Sequence, residues 1–540
     1  MQIPGQARND KDKNMLRDEI KKILNILDAE IKKTENANFG DYSTNAALKL
    51  AKKEGKNPME MAENIKNQIS KIKGGILEKT EVAPPGFVNF FLSKEFLQKE
   101  VGQILKDGED YGKSEIGQGK KIQVEFISAN PTGPLTLGNG RGGFFGDTLA
   151  KILAKADFTV QREYFINDAG YQVEVLGHSI LGDEKAQYKG EYIQQLRKKF
   201  TGFLKSKDPK KVGEKAADYI TEKMIKPTVA KMKIKFDEWF SERKLKGKPN
   251  EKMLELLKEK SLTYEKEGAL WFKSSEFGDD KDRVLITSDK NEHSGEATYI
   301  LSDIAYHYDK FIERKFDRVV DIWGADHHGY VARLQAAKKA LGMPGELEII
   351  IMQLVRLFQG GQEIKMSKRA GTYITLDELL DEIPLDVARF FFLMYSADTH
   401  MDFNLDLARE QSEKNPVYYV QYAYARISGI LKKATPIHGL HPDDTDKLKL
   451  LKEAAELDLI KQLIRLPEII EDTAGDYQVQ RLPQFALDLV RSFHKFYEEC
   501  RVIDEKNPDL TQARLSLVEA TRIVLKNTLE LMGISAPEKM

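Results

Sequence analysis

The chain is poor in the residues that would tie it to an oxidising or a membrane setting. Cys500 is the one cysteine among 540 residues, so an internal disulfide and a thiolate metal cluster are both excluded. No apolar run approaches the ~20 residues that a membrane span needs. The first residues, MQIPGQARNDKDKN, contain no apolar signal core. A cytoplasmic protein without membrane attachment is therefore expected. Internal repeats and low-complexity linkers are also missing. Charge of one sign does not dominate: 84 Lys and Arg stand against 85 Asp and Glu. That balance neither favours nor excludes a nucleic-acid partner, which needs a local basic face rather than a basic total. With 41% hydrophobic and 31% charged residues, the composition suits a globular protein. Its length calls for two to four domains.

What is present centres on Ile122 to Ala150, IQVEFISANPTGPLTLGNGRGGFFGDTLA. The run IQVEFIS reads as a short buried strand. Two prolines and six glycines then fall between Pro131 and Gly146, where the backbone must turn and leave surface uncovered. From about Asn139 the pattern becomes helical, and FTVQREYF offers a second strand. This β-α-β unit presents backbone N–H groups and a helix N-terminus to an anion. Gly138 to Gly143 fits the GxGxxG dinucleotide fingerprint, with Glu163 about twenty residues on. Its context is wrong, because Asn130 to Leu137 separate it from the strand. A P-loop reading of GEDYGKS at Gly108 has one residue too few. A third reading, the class I aminoacyl-tRNA synthetase corner, requires a distant lysine loop that returns to the same phosphates. Lys365-Met366-Ser367-Lys368-Arg369 supplies it, between Gly360, Gly361 and Gly371.

Family-like strings then run the length of the chain: FGDYSTNAALKLAKK, VEFISANPTGPL, REYFINDAG, FGDDKDRVL, DIWGADHHGYVARLQAA, KMSKRAG, SADTHMDFNLDLA, VQYAYARI and the terminal GISAPEKM. In this order they resemble the arginyl-tRNA synthetases nearly end to end. The resemblance implies an α/β fold: a class I synthetase Rossmann-type parallel-sheet catalytic domain, with an N-terminal α+β domain and a C-terminal all-α helical bundle. Residues 1–108 would be the added domain that contacts the tRNA elbow. Residues 109–407 would form the catalytic domain, with a lysine-rich helical insertion at about 188–260, and 408–540 the anticodon-binding bundle. The residues themselves leave some roles open. Lys49, Lys52, Lys53 and Lys56 suit a phosphate patch or a solvated face, and the insertion's lysines suit the acceptor stem or solvent. Tyr418, Tyr419, Tyr422 and Tyr424 suit core packing or stacking on anticodon bases.

The reaction implied joins L-arginine and ATP, with Mg2+, into arginyl-adenylate and then charges the terminal ribose of tRNA(Arg). The substrate is a cation with a planar fork of donors, which calls for paired carboxylates. Tyr299 and Asp303 share a helix face. Glu125 lies inside an apolar strand, where a carboxylate is costly unless paired, and a bound arginine would supply that pair. By resemblance these three hold the guanidinium, while Ser128 and Asn130 orient the α-amino and carboxylate groups. Asn130 equally suits a turn. Asp168 would position the amino acid or cap the next helix. Pro131, Thr136, Leu137, Gly138, Asn139 and Gly140 match the ATP corner. Gly324, Asp326, His327 and His328 match the adenosine-side loop, and no bound metal is expected. Lys365 and Lys368, with Met366 and Ser367, would neutralise charge on the pyrophosphate.

One departure stands out. The class pattern His-Ile-Gly-His is here Thr136-Leu137-Gly138-Asn139. Gly138 is kept, since a side chain there would block the adenine, but Thr136 can carry no charge. Arg141 or a water would compensate. The departure defines the alternative, a catalytically silent tRNA-binding relative, against which the KMSKR loop and the arginine-fork residues argue. A dehydrogenase explains neither feature. No hydrolytic editing domain is expected, because arginine has few near-isosteres, and the absence of a heptad pattern points to a monomer.

Overall fold

The computed structural model describes residues 17, 30–34, 36–69, 75–202, 207–288, 297–364, 374–434 and 445–540. Near the N-terminus, a four-stranded antiparallel sheet is built from Ile31–Lys33, Tyr42–Thr44, Phe87–Leu92 and Leu77–Ala83. The helix expected from Met15 to Lys33 falls largely outside the described residues, and Ile31–Lys33 is a strand. The stretch from Asn45 to Ile69 is two helices, Ala46–Glu54 and Pro58–Ile69. The break has a local cause: Gly55 takes a left-handed φ of 68° as the C-cap, and Pro58 opens the second helix.

The central sheet comprises β1 (Lys121–Glu125), β2 (Thr159–Ile166), β3 (Glu238–Ser241), β4 (Arg318–Gly324) and β5 (Glu346–Met352), in the order β5-β4-β1-β2-β3. All four pairings are parallel. The connecting helices include α1 (Leu137–Lys155), which follows β1, α2 (Tyr171–Leu181), which follows β2, and α3 (Tyr299–Tyr308), which precedes β4. The direction of winding reverses between β1 and β4. A crevice opens there at the carboxyl ends, where sheets of this kind bind their ligands. The in-register pairing sets Asp321 beside Glu125, and Glu125 beside Glu163.

The lysine-dense stretch at about 188–260 holds helices Glu191–Lys199, Pro209–Ile220 and Lys248–Glu259, and also β3, an edge strand of the main sheet. Two small three-stranded sheets flank the catalytic core, one from Thr263 to Ile286 and one joining Val355–Gln359 to Gln362–Ile364 and Met401–Asn404.

Beyond it the chain is helical. Leu482, Phe485, Leu489, Phe493 and Phe496 recur at helical spacing along Arg481–Glu499, and all are essentially fully buried. They pack with Val524, Leu525 and Leu529 of Pro508–Met532 into the bundle core. The N-terminal unit docks on this bundle through polar contacts. The Tyr42 hydroxyl donates to Glu468 at 3.1 Å, Arg17 reaches Glu468 and Asp472, and Lys461 pairs with Asp41 at 2.7 Å.

Candidate active site

The chain leaves β1 in a strained turn. Ile127 has φ 67° and Ser128 φ 36°, a left-handed conformation that a β-branched residue seldom adopts. β2 holds it in place. The Tyr164 hydroxyl bonds both the N–H and the C=O of Ala129 at 3.1 Å, the Ser128 hydroxyl accepts from Phe165 N–H at 3.1 Å, and the Asn167 amide donates to Ser128 O at 3.2 Å. Ser128 thus spends its hydroxyl on the neighbouring strand. The Asn130 amide donates to Gln172 Oε1 at the start of α2.

α1 begins at the two positions where the class pattern has histidines. Asn139 Oδ1 accepts from the Thr136 N–H and from the Thr136 hydroxyl, both at 2.9 Å. The pair closes the first turn of the helix on itself, as a capping box does. Thr136 also forms an isolated antiparallel bridge with Thr375, and Leu376 N–H donates to Leu135 O at 2.9 Å. Gly138 faces open space: a Cβ there would meet only Thr136 Oγ1, at 3.8 Å. Gly140 serves packing instead, since a Cβ would lie 2.6 Å from Leu376 Cδ1. Pro131 and Leu137 are buried, so Leu137 offers the crevice backbone only. Arg141 does not compensate for the missing histidines. It is buried, and its guanidinium donates to the carbonyls of Gln353, Ser396 and Thr399 at 2.7 to 2.8 Å, away from the phosphate corner.

The carboxylates gather on the other side of β1. Tyr299, 46% exposed, and Asp303 share one face of α3. Burial pushes the Asp303 carboxyl up to about 6, helped by the charges of Glu125 and Asp321 against His307. Glu125 is also raised by burial, against the pull of Lys310. Its pair, which the sequence assigns to a bound arginine alone, is already present in the chain. Lys310 Nζ lies 2.8 Å from Glu125 Oε2 and the Tyr306 hydroxyl 2.9 Å.

A further carboxyl, Glu242, follows β3 directly and was not anticipated. It is 5% exposed, and its Oε2 has no hydrogen-bond partner. Burial raises it to about 7, with Asp303 and Asp168 adding and Lys246 opposing. With Tyr299, Gly170, Asn250 and Ser302 it lines a cavity of about 790 Å³.

Asp168 does not cap α2, whose N-cap is Gly170. Its carboxylate accepts from the Ser241 hydroxyl at 2.6 Å and from Arg243 N–H at 3.3 Å, tying the ends of β2 and β3 together. Gly324 ends β4, and Asp326, His327 and His328 stand exposed on the turn Ala325–Tyr330 that follows. His327 lies 3.6 Å from Asp326. Among the described residues no cluster of His, Cys, Asp or Glu is arranged to hold a metal. Lys365, Met366, Ser367 and Lys368 lie outside the described residues.

A parallel sheet wound as β5-β4-β1-β2-β3, with a glycine-bearing helix N-terminus after β1 and a cavity lined by acids beyond the ends of β2 and β3, defines a class I aminoacyl-tRNA synthetase. Three family models cover most of the chain. Residues 100–390 match the tRNA synthetases class I (R) catalytic domain, 11–92 the arginyl tRNA synthetase N terminal domain, and 420–540 the DALR anticodon binding domain. An arginine–tRNA ligase of Carboxydothermus hydrogenoformans is 44% identical over 95% of this chain and 94% of its own length. That of Bacillus subtilis is 42% identical over 98% and 99%. Thermus thermophilus arginyl-tRNA synthetase shares the fold, with a TM-score of 0.76 and 22% identity over 97% of this chain and 100% of that one. The chain belongs to the arginyl-tRNA synthetase family.

Proposed function

We propose that the protein is an arginine–tRNA ligase that activates L-arginine with ATP and transfers it to the 3′ ribose of tRNA(Arg). The observation that carries this reading is a chain of acids whose charges act on one another, Glu125 on Asp303 and Asp303 on Glu242, with Glu242 and Tyr299 lining the cavity; paired carboxylates of this kind suit a planar cation. Asp303 and Tyr299 approach the guanidinium along α3, Glu125 from β1, and Glu242 from the turn after β3. The phosphates of ATP lie on the open face at Gly138 and the first turn of α1, where backbone N–H groups point outward. Lys365 and Lys368, with the magnesium that accompanies ATP, neutralise the departing pyrophosphate as the arginine carboxylate attacks the α-phosphate. Adenosine rests against the Gly324–His328 turn.

Thr136 and Asn139 act through the helix cap rather than by charge, so a missing histidine does not silence the site. tRNA spans the molecule: its elbow on the N-terminal domain, its acceptor stem past the insertion, and its anticodon against the helical bundle, where Tyr418 and Tyr422 stack on each other with Tyr422 45% exposed. The enzyme works as a monomer in the cytoplasm. The test is attachment of arginine, lysine and canavanine to tRNA with ATP and Mg2+. Arginine preferred strongly over lysine is expected. Tight tRNA binding with no amino acid attached overturns the reading in favour of a silent relative.

A further inference from the structure

Beneath the acids assigned to arginine lies a resident cation that the reaction leaves unexplained. α3 runs directly into a π-turn, Asp309–Glu313, a feature that often marks functional positions. In that turn Lys310 is fully buried. Its ammonium donates to Glu125 Oε2 at 2.8 Å and to Asp321 Oδ1 at 2.9 Å, and lies 4.2 Å from the centre of the Tyr306 ring. The Tyr306 hydroxyl, with one proton to give, lies 2.9 Å from Glu125 Oε2 and also within hydrogen-bond reach of Glu163. The ammonium and the hydroxyl therefore meet the same oxygen of Glu125, and among the described contacts none falls on Oε1. The second Asp321 oxygen lies 2.8 Å from His307 Nε2, while His307 Nδ1 lies 2.8 Å from the Asp303 carbonyl. Asp303, His307 and Lys310 thus follow one another along a single helix face.

A role in packing would need only an apolar side chain here. A buried lysine is expensive and is repaid only by well-placed acids. Glu125 and Asp321 are register partners on adjacent strands, so one ammonium serves two like charges and cancels only one of them. His307 takes the other oxygen of Asp321, and the Asp303 carboxyl stands close enough to feel the charges of both acids. That is the charge state a guanidinium completes.

We propose that Lys310 is a positioning and specificity residue for the amino-acid substrate. It pins Glu125 through Oε2, leaves Oε1 for the incoming cation, and keeps the pocket acidic by one charge at Glu125 and Asp321. The proposal rests on Glu125 being a guanidinium ligand. Without Lys310, two like charges on neighbouring strands would drive one carboxyl to take a proton, and Glu125 would lose its orientation.

The test uses the full-length enzyme and separate KM values for arginine, ATP and tRNA in aminoacylation. The variant Lys310→Met/Asp321→Asn removes the cation together with one of its acids, which preserves the charge balance of the fold. Its arginine KM is expected to rise at least tenfold, with the other two KM values within twofold of the parent. A folded variant whose arginine KM stays within twofold overturns the proposal. Should that variant fail to fold, Tyr306→Phe decides, because it removes one hydroxyl from the same Glu125 oxygen. A three- to tenfold rise confined to the arginine KM supports the proposal, and an unchanged value overturns it. Glu125→Gln separates the two levels of the argument. If it leaves the arginine KM unchanged, the assignment of Glu125 fails and the proposal falls with it. If it raises that KM while Lys310→Met/Asp321→Asn does not, only the role of Lys310 is refuted.

Discussion

Arginine binding should weaken steeply in mild acid, and the cause lies in Asp303. A carboxyl in water loses its proton near 4, whereas burial beside Glu125 and Asp321 holds this one at about 6. The guanidinium stays charged throughout this range, and it pairs with the ionised carboxylate only. The sign follows: affinity is full well above pH 6 and is lost as the pH falls through it. One unit below, at pH 5, about a tenth of the carboxyl is ionised, so affinity drops about tenfold, or about 1.4 kcal/mol. Glu242, at about 7, begins the decline earlier and makes it steeper. Calorimetric titration of arginine from pH 5 to 8 measures this, with ATP titrated in parallel as the control. Asp303→Asn should bind arginine roughly 10- to 150-fold more weakly at pH 8, the range for losing a charge-assisted hydrogen bond of about 1.5–3 kcal/mol. Its acid decline should be shallower than the parent's, and Glu242→Gln should remove the upper part only. An acid decline of unchanged size in Asp303→Asn would refute the reasoning, as would one equally large for ATP.

Two further expectations concern the fold. Gly146→Ala would set a Cβ 2.3 Å from Phe126 Cγ, between α1 and the residue after β1, and should cost about 1–3 kcal/mol by overpacking; a urea midpoint equal to the parent's would contradict it. Burial raises the Glu468 carboxyl from an ordinary 4.5 to about 7, against Arg17 and Tyr42. The folded state therefore holds a proton that the unfolded chain releases, and stability declines as pH rises from about 4.5 to 7. Glu468→Gln, always neutral, should melt higher than the parent at pH 8, and the gap should close by pH 5. A gap of equal size at both values would sink this account.

β1 and β2 were legible in advance because they are short runs rich in β-branched and aromatic residues, and such length and composition favour a strand over a helix. β3 was not, because its four residues, Glu-Trp-Phe-Ser, are too short to show a period and sit among lysines. Missing β3 also hid Glu242, whose only sequence mark is that it follows that strand. Tyr299 and Asp303 could be paired from their spacing alone, since one helix carries both. Lys310 could not be paired with Glu125, since 185 positions separate them and only the register of β1 and β4 brings them together. Arg141 was misread for a similar reason. A basic residue near a phosphate corner invites a phosphate contact, and nothing local reveals that three distant carbonyls claim it. Met15 to Lys33 shows the limit of helical periodicity, because its last residues pair with Tyr42–Thr44 and tertiary contact overrides local preference.

The bridge from Thr136 to Thr375 changes how the signature of this class should be compared among relatives. Residue 136 answers to two neighbours at once, Asn139 within its own helix turn and Thr375 beyond the lysine segment. A substitution there is therefore a change at a seam between distant parts of the chain. Residues 136 and 139, joined through the Asn139 side chain, should vary together from one relative to another, while Gly138 between them stays glycine.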